Sequence, residues 1–137
     1  MIFLDTPTLS VAYRRKYRDD EEKPLEVRML QQMVAEHKPI AIPAIVVQEF
    51  LSGLREESQF NKLQKSIEGF PIVLATQQHH IEAAKIANAC RSKGIATSAT
   101  DCLIAAMTIE QNAQLFTMDQ DFVYMARHCP LRLLPRL

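Results

Sequence analysis

Met1-Ile2-Phe3-Leu4-Asp5-Thr6-Pro7 is the stretch that decides the fold. Four consecutive apolar residues are too few for a buried helix and lack the polar alternation of a half-exposed strand. They read as a short strand covered on both faces. Thr6-Pro7 then starts a helix, with proline in the first turn, where its missing N–H costs nothing. A doubly covered strand that turns straight into a helix belongs to a parallel α/β sheet. The same grammar repeats outward. Ile40-Ala41-Ile42, Ile72-Val73-Leu74 and Gln114-Leu115-Phe116-Thr117 predict further strands, and Leu131–Leu134 a weak fifth. Between them the spacing predicts helices over Thr8–Tyr13, from Pro24 to about His37, and over Ala44–Glu57, Phe60–Ile67, Gln77–Arg91 and Asp101–Gln111. Phe122–Ala126 reads as a helical turn. In Gln77–Arg91 the expected core positions are Ile81, Ala84, Ile86 and Ala87. The expectation is an α/β fold in one domain, residues 1–137. A short, mostly parallel sheet of four or five strands is flanked by helices on both faces.

Composition narrows the function classes. Hydrophobic residues make up 47% of the 137, enough for a packed core. The 16 Lys and Arg cancel the 16 Asp and Glu, so any affinity for nucleic acid must come from local clustering. No apolar run approaches the ~20 residues of a membrane span, and no basic leader precedes the first strand, so no membrane association and no signal peptide are expected. Cys90, Cys102 and Cys129 form no C-x-x-C pair. That argues against a zinc site or disulfide framework and fits a cytoplasmic location.

Four widely separated acids stand where buried elements begin or end: Asp5, Glu49, Asp101 and Asp119. In open α/β sheets, ligand sites lie outside the carboxyl ends of the strands. Asp5 and Asp119 follow strands directly, Asp101 opens a helix, and Glu49 lies about one turn into another at the rim of its apolar face. Each has an ordinary reading. Asp5 caps the helix at Thr6, Asp101 is a first-turn acid, Asp119 with Asp121 shapes a turn, and Glu49 is a solvated charge. Taken together at one sheet edge, four carboxylates repel one another and call for a hard divalent cation, and hence phosphate chemistry.

Four blocks in order carry a resemblance. They are Ile2-Phe3-Leu4-Asp5-Thr6, Pro43 to Gly53, Asp101-Cys102-Leu103-Ile104-Ala105-Ala106, and Phe116-Thr117-Met118-Asp119-Gln120-Asp121-Phe122. Their pattern resembles the PIN-domain nucleases, most closely the small VapC-like toxins of prokaryotic toxin–antitoxin pairs. The resemblance implies a parallel sheet between helices and a Mg²⁺ or Mn²⁺ site. It implies endonucleolytic cleavage of RNA to a 5′-phosphate and a 3′-hydroxyl. Carried over, Asp5, Glu49, Asp101 and Asp119 become the catalytic and metal-binding acids, with Thr117 and Asp121 supporting them. A homodimer and an inhibitory antitoxin are the implied partners. The alternative is an inactive PIN-fold module acting through protein contacts, for which Pro7, beside the first acid, is the sequence hint. A phosphotransfer domain fits poorly, because Pro7 stands where an aspartyl phosphatase needs its second acid and no lysine follows Lys93.

Other residues get lesser roles. Arg14-Arg15-Lys16-Tyr17-Arg18 is the densest basic stretch, a candidate contact for RNA phosphates with Tyr17 available for stacking. The competing reading is a solvated loop balanced by Asp19-Asp20-Glu21-Glu22. The four histidines read as structural. Met29, Leu30, Met33, Phe50, Leu51 and Leu54 offer enough apolar surface to line a partner groove, or else ordinary core.

Overall fold

The computed structural model of the chain describes residues 1–135. Its elements run β1 (Ile2–Leu4), α1 (Thr6–Leu9) with a π-helical continuation (Ser10–Arg14), α2 (Leu25–Ala35), β2 (Ile40–Pro43), α3 (Ala44–Leu51) and α4 (Glu57–Ser66). They continue β3 (Ile72–Val73), α5 (Gln77–Ser92), α6 (Ala99–Glu110), β4 (Gln114–Phe116), α7 (Gln120–Met125) and β5 (Arg132–Leu133).

The strands form one sheet in the order β3-β2-β1-β4-β5, every neighbouring pair parallel. Ile2 pairs with Ile40 on one side and with Gln114 on the other, so β1 is the centre. The chain steps outward from β1 through β2 to β3, then crosses back to β4 and β5. Right-handed crossovers in opposite directions put helices on opposite faces. They also open a crevice between the carboxyl ends of β1 and β4, where the winding reverses.

Burial explains the strands. β1 and β2 are buried throughout, as their unbroken apolar runs require. Phe3, Phe50, Phe116 and Phe122 are fully buried together with Leu4, Leu9, Ile42 and Ile104. Removing each such side chain from water stabilises the fold by about 1.5–3 kcal/mol. α6 is buried from Cys102 to Thr108 and is therefore apolar nearly all round. Its one polar residue in that span, Thr108, donates back to the Ile104 carbonyl at 2.7 Å.

Several expectations need correction. The helix predicted over Ala44–Glu57 ends at Leu51, because Gly53 takes a left-handed φ of 84° that breaks it, and α4 restarts at Glu57. Leu74 lies outside β3 and is 72% exposed. The buried stripe of α5 is His79, Ala83, Ile86 and Cys90, so Ile81 and Ala84 face solvent instead. The apolar surplus around α2 and α3 goes largely to the core. Leu30, Met33 and Phe50 are buried, and Met29, Leu51 and Leu54 pack half-buried against the same core.

Candidate active site

β1 delivers Asp5 to the crevice. Its Oδ1 accepts the Thr8 N–H at 3.0 Å and so caps α1. Its Oδ2 accepts the Thr117 hydroxyl from the end of β4. The capping role and the cleft position therefore coexist in one side chain. Pro7 sits in the first turn of α1, where backbone N–H groups have no intrahelical partner, so its ring removes nothing the helix uses.

Glu49 reaches the same place from α3, exposed at the rim, with Oε1 accepting the Thr6 hydroxyl at 2.7 Å. Asp101 sits in the first turn of α6, whose N-cap is Ser98, with the Asp101 N–H bonded to Ser98 Oγ at 3.0 Å. Asp119 caps α7 by accepting the Asp121 N–H at 2.9 Å. The Asp119 N–H in turn donates to Thr117 Oγ1 at 2.9 Å. Thr117 thus accepts from Asp119 and spends its one proton on Asp5, tying the ends of β4 and β1 together.

One cavity of about 410 Å³ is lined by Asp5, Glu49, Asp101 and Asp119, all four of the acids singled out from the sequence. Thr6, Pro7, Ser10 and Ser98 complete its polar wall, with Ile104 and Phe122 as its apolar floor. The tightest group is Asp101, Asp119 and Asp121, whose carboxylate oxygens lie within 4.8 Å of one another. Asp121 is exposed and belongs to this cluster as directly as Asp119 does. The sequence reading gave Asp121 a supporting role beside Asp119, and passed over Thr6 and Ser98. A signal for Ser98 existed: Ser98-Ala99-Thr100-Asp101 is the S-x-x-D pattern of a helix start. Arg14, Arg15 and Lys16 stand exposed at and just beyond the π-helical turn, outside this cavity.

The electrostatics are those of an uncompensated cluster. Burial pushes the Asp5 carboxyl above its ordinary range, bonds from Thr117 and Thr8 pull it back, and Asp119 adds repulsion. Asp101 is pushed up to about 6, by burial first, against the Ser98 hydroxyl, with Asp119, Glu49 and Asp121 adding repulsion. The ion pairs among the described residues all lie elsewhere. Oxygen-only donors, crowded and with no cation paired to them among the described residues, fit a hard divalent ion such as Mg²⁺ or Mn²⁺. His79 has a different task. Its Nδ1 accepts the Thr76 N–H at 2.9 Å in a capping box, and its Nε2 meets Glu110 at 2.9 Å.

Comparisons with known proteins agree with this architecture. The family model for the PIN domain matches residues 2–128. VapC ribonuclease Mb1587 of Mycobacterium bovis is 32% identical over 105 residues, which cover 75% of this chain and 77% of the relative. Ribonuclease VapC11 of Mycobacterium tuberculosis matches to the same extent. FitAcB from Neisseria gonorrhoeae superposes with a TM-score of 0.75 at 21% identity, covering 99% of this chain and 98% of that one. VapBC2 from Rickettsia felis, bound to a promoter DNA fragment, gives 0.74 at 23% identity, with 98% of each chain covered. No helix among the described residues is long and apolar enough to cross a membrane. The parallel sheet wound about β1, the acid-lined crevice at its carboxyl edge and the match over residues 2–128 place the chain in the PIN-domain family, with VapC proteins among its relatives.

Proposed function

We propose that the chain is a divalent-metal-dependent endoribonuclease, a homodimeric toxin held inactive by an antitoxin protein. The observation that carries the reading is the single cavity walled by Asp5, Glu49, Asp101 and Asp119, with Asp121 beside them and no Lys or Arg among its described lining residues. The VapC ribonucleases among its relatives, and structural neighbours that are VapBC assemblies, support the substrate and the partner.

Asp5, Asp101, Asp119 and Glu49 would hold Mg²⁺ or Mn²⁺, with Asp121 completing the oxygen set. When bound, such an ion supplies charge for the attacked phosphodiester and lowers the pKa of a water ligand. The chain's own residues do the rest. Thr117 keeps Asp5 Oδ2 an acceptor, so Asp5 is oriented as a carboxylate. Thr6 fixes Glu49 at the rim, where it is placed to take a proton from an entering water. Ser98 anchors the turn that presents Asp101. The strand would be cut to a 5′-phosphate and a 3′-hydroxyl without a covalent enzyme intermediate.

The test is cleavage of a labelled single-stranded RNA with Mg²⁺ or Mn²⁺, with EDTA, and in Asp5→Asn. The expected result is cleavage that EDTA abolishes and that Asp5→Asn lowers by about a hundredfold or more, with the far-ultraviolet circular dichroism kept. Full activity in EDTA or in Asp5→Asn would overturn the reading.

A further inference from the structure

We infer that Arg14 and Lys62 form a phosphate-binding subsite that holds the RNA strand beside the acid cleft. The inference rests on the endoribonuclease reading and assigns part of the strand's path. Three hollows run side by side. The acid cleft shares Pro7 and Ser10 with an open hollow of about 570 Å³, and Arg14 and Arg15 line the far side of that hollow. Arg14 is in turn shared with a cavity of about 470 Å³, whose wall includes Lys16, Gln59 and Lys62. One path therefore leads from the carboxylates to a cationic pocket built by two elements distant in sequence, the π-helical turn and α4.

The cations that line the pocket form no ion pair among the described residues. Of the acidic run that follows them in sequence, Asp20, Glu21 and Glu22 are taken up by Arg18 and Arg28. Asp20 faces Arg18 at 3.9 Å, Glu22 faces Arg28 at 3.8 Å, and Glu21 accepts the Arg18 N–H at 3.1 Å. Arg14, Arg15, Lys16 and Lys62 make no ion pair among the described residues. The one acid of the pocket, Glu56, accepts the Ser58 hydroxyl at 2.7 Å. The chain's net charge is zero, so a polyanion cannot be held by the field of the whole molecule and needs such local cations.

The pocket is also fixed in shape. Tyr13 packs edge-on against Phe70, with ring centroids 6.4 Å apart, and forms a rigid wall. The Tyr17 hydroxyl donates to the Val11 carbonyl at 2.7 Å, and the Arg15 guanidinium lies 5.4 Å from the Tyr17 ring centre. Arg15 stacks on Tyr17 and does not line this pocket, whose cations are Arg14, Lys16 and Lys62; Arg14 and Lys62 face it from the two elements and are assigned the grip on phosphate. Gln59, on the same wall, offers hydrogen bonds suited to a ribose 2′-hydroxyl, and Ser58 keeps an acceptor lone pair after donating to Glu56. An acidic peptide would also meet cations here, but it gains nothing from a path that ends in carboxylates. A nucleic acid strand must reach them to be cut.

The experiment compares wild type, the double variant Arg14→Gln/Lys62→Gln and the control Lys93→Gln. With Mg²⁺, the double variant is expected to raise KM for a labelled 12-nucleotide single-stranded RNA on the order of tenfold, with kcat nearly unchanged and Lys93→Gln like wild type. In EDTA, fluorescence anisotropy with the same RNA is expected to lose affinity to a similar extent. Its dependence on log salt should flatten by about 1.4, or about 0.7 for each lost phosphate contact. The second arm reads the subsite even if wild type cuts nothing, so failure of the nuclease reading is distinguishable from failure of this one. An unchanged KM, affinity and salt slope would overturn the subsite. So would a fall in kcat alone, or a poly-glutamate peptide that binds wild type and is lost in the double variant while RNA binding persists.

Discussion

The two ends of α6 carry one acid each, and the two behave in opposite ways. Asp101 lies in the first turn, where the helix dipole favours a negative charge, yet its carboxyl is pushed up to about 6. Glu110 is the last residue of the same helix, where the dipole disfavours a negative charge, yet its pKa lies below the ordinary range. The dipole is worth only about 0.3–1 kcal/mol at such positions, and close neighbours outweigh it. Glu110 receives a hydrogen bond from His79 and a second from the Gln111 side chain. Asp101 is partly desolvated and faces Asp119, Glu49 and Asp121. One end of the helix has its counter-group built in. The other has no paired cation among the described residues.

The sharpest way to break this contrast is to neutralise each end in turn. Asp101→Asn is expected to lower RNA cleavage by about a hundredfold or more, while Glu110→Gln leaves kcat within about twofold, both read by gel assay of a labelled RNA. Equal losses would mean that the two ends do not differ in role. Metal should separate them next. Mn²⁺ at about a hundred times its dissociation constant adds about 2.7 kcal/mol, or on the order of 10 °C in Tm for a chain of this size. Differential scanning fluorimetry should show that rise in wild type and in Glu110→Gln, and its loss in Asp101→Asn.

The closed end yields a smaller effect, on stability. His79→Ala removes a buried side chain, the acceptor for the Thr76 N–H and the partner of Glu110. The expected cost is about 2 kcal/mol in urea denaturation, with the kcat of the folded fraction unchanged. The smallest effect is the pH dependence of the metal-free chain. The folded pKa of Asp101, about 6, lies above the ~3.9 of an unfolded aspartate. Between those values the folded state binds more protons, so this group's contribution to stability falls as pH rises through that window. Asp5 is shifted in the same direction. In EDTA, Tm should therefore be higher near pH 5 than near pH 7.5. Asp101→Asn should flatten the difference, and saturating Mn²⁺ should reduce it. A Tm that rises steadily with pH in EDTA would contradict the repulsive cluster.

The fold was largely readable because its signals are local. Unbroken apolar runs such as Ile2-Phe3-Leu4 and Ile40-Ala41-Ile42 leave doubly covered strands as the economical solution, whereas the strand order β3-β2-β1-β4-β5 carries no such local signal. Boundaries were less readable. Ala44–Glu57 has an apolar rhythm that runs past Leu51, and only the left-handed backbone at Gly53 ends it. The phase of α5 was misread because hydrophobicity favoured Ile81, whereas His79 enters the core through its cap and its tie to Glu110. The acids of the cleft were visible as charges interrupting buried segments. How close Asp121 comes to Asp101 was not readable, because its approach arises from a turn closed by the Asp119 side chain, a distance no spacing encodes. Lys62 carried no signal at all. Its neighbourhood with Arg14 is made by packing between residues remote in sequence.

The pairing of Ile2 with Gln114, and of Leu4 with Phe116, also governs when the cleft comes into being. Asp5, at the end of β1, must wait for β4, which is made much later in the chain. Asp119 and Asp121 follow that strand directly. At about 5–20 residues per second, translation spends several seconds or more between the two partners. A chain stalled before β4 therefore lacks the carboxylate cluster.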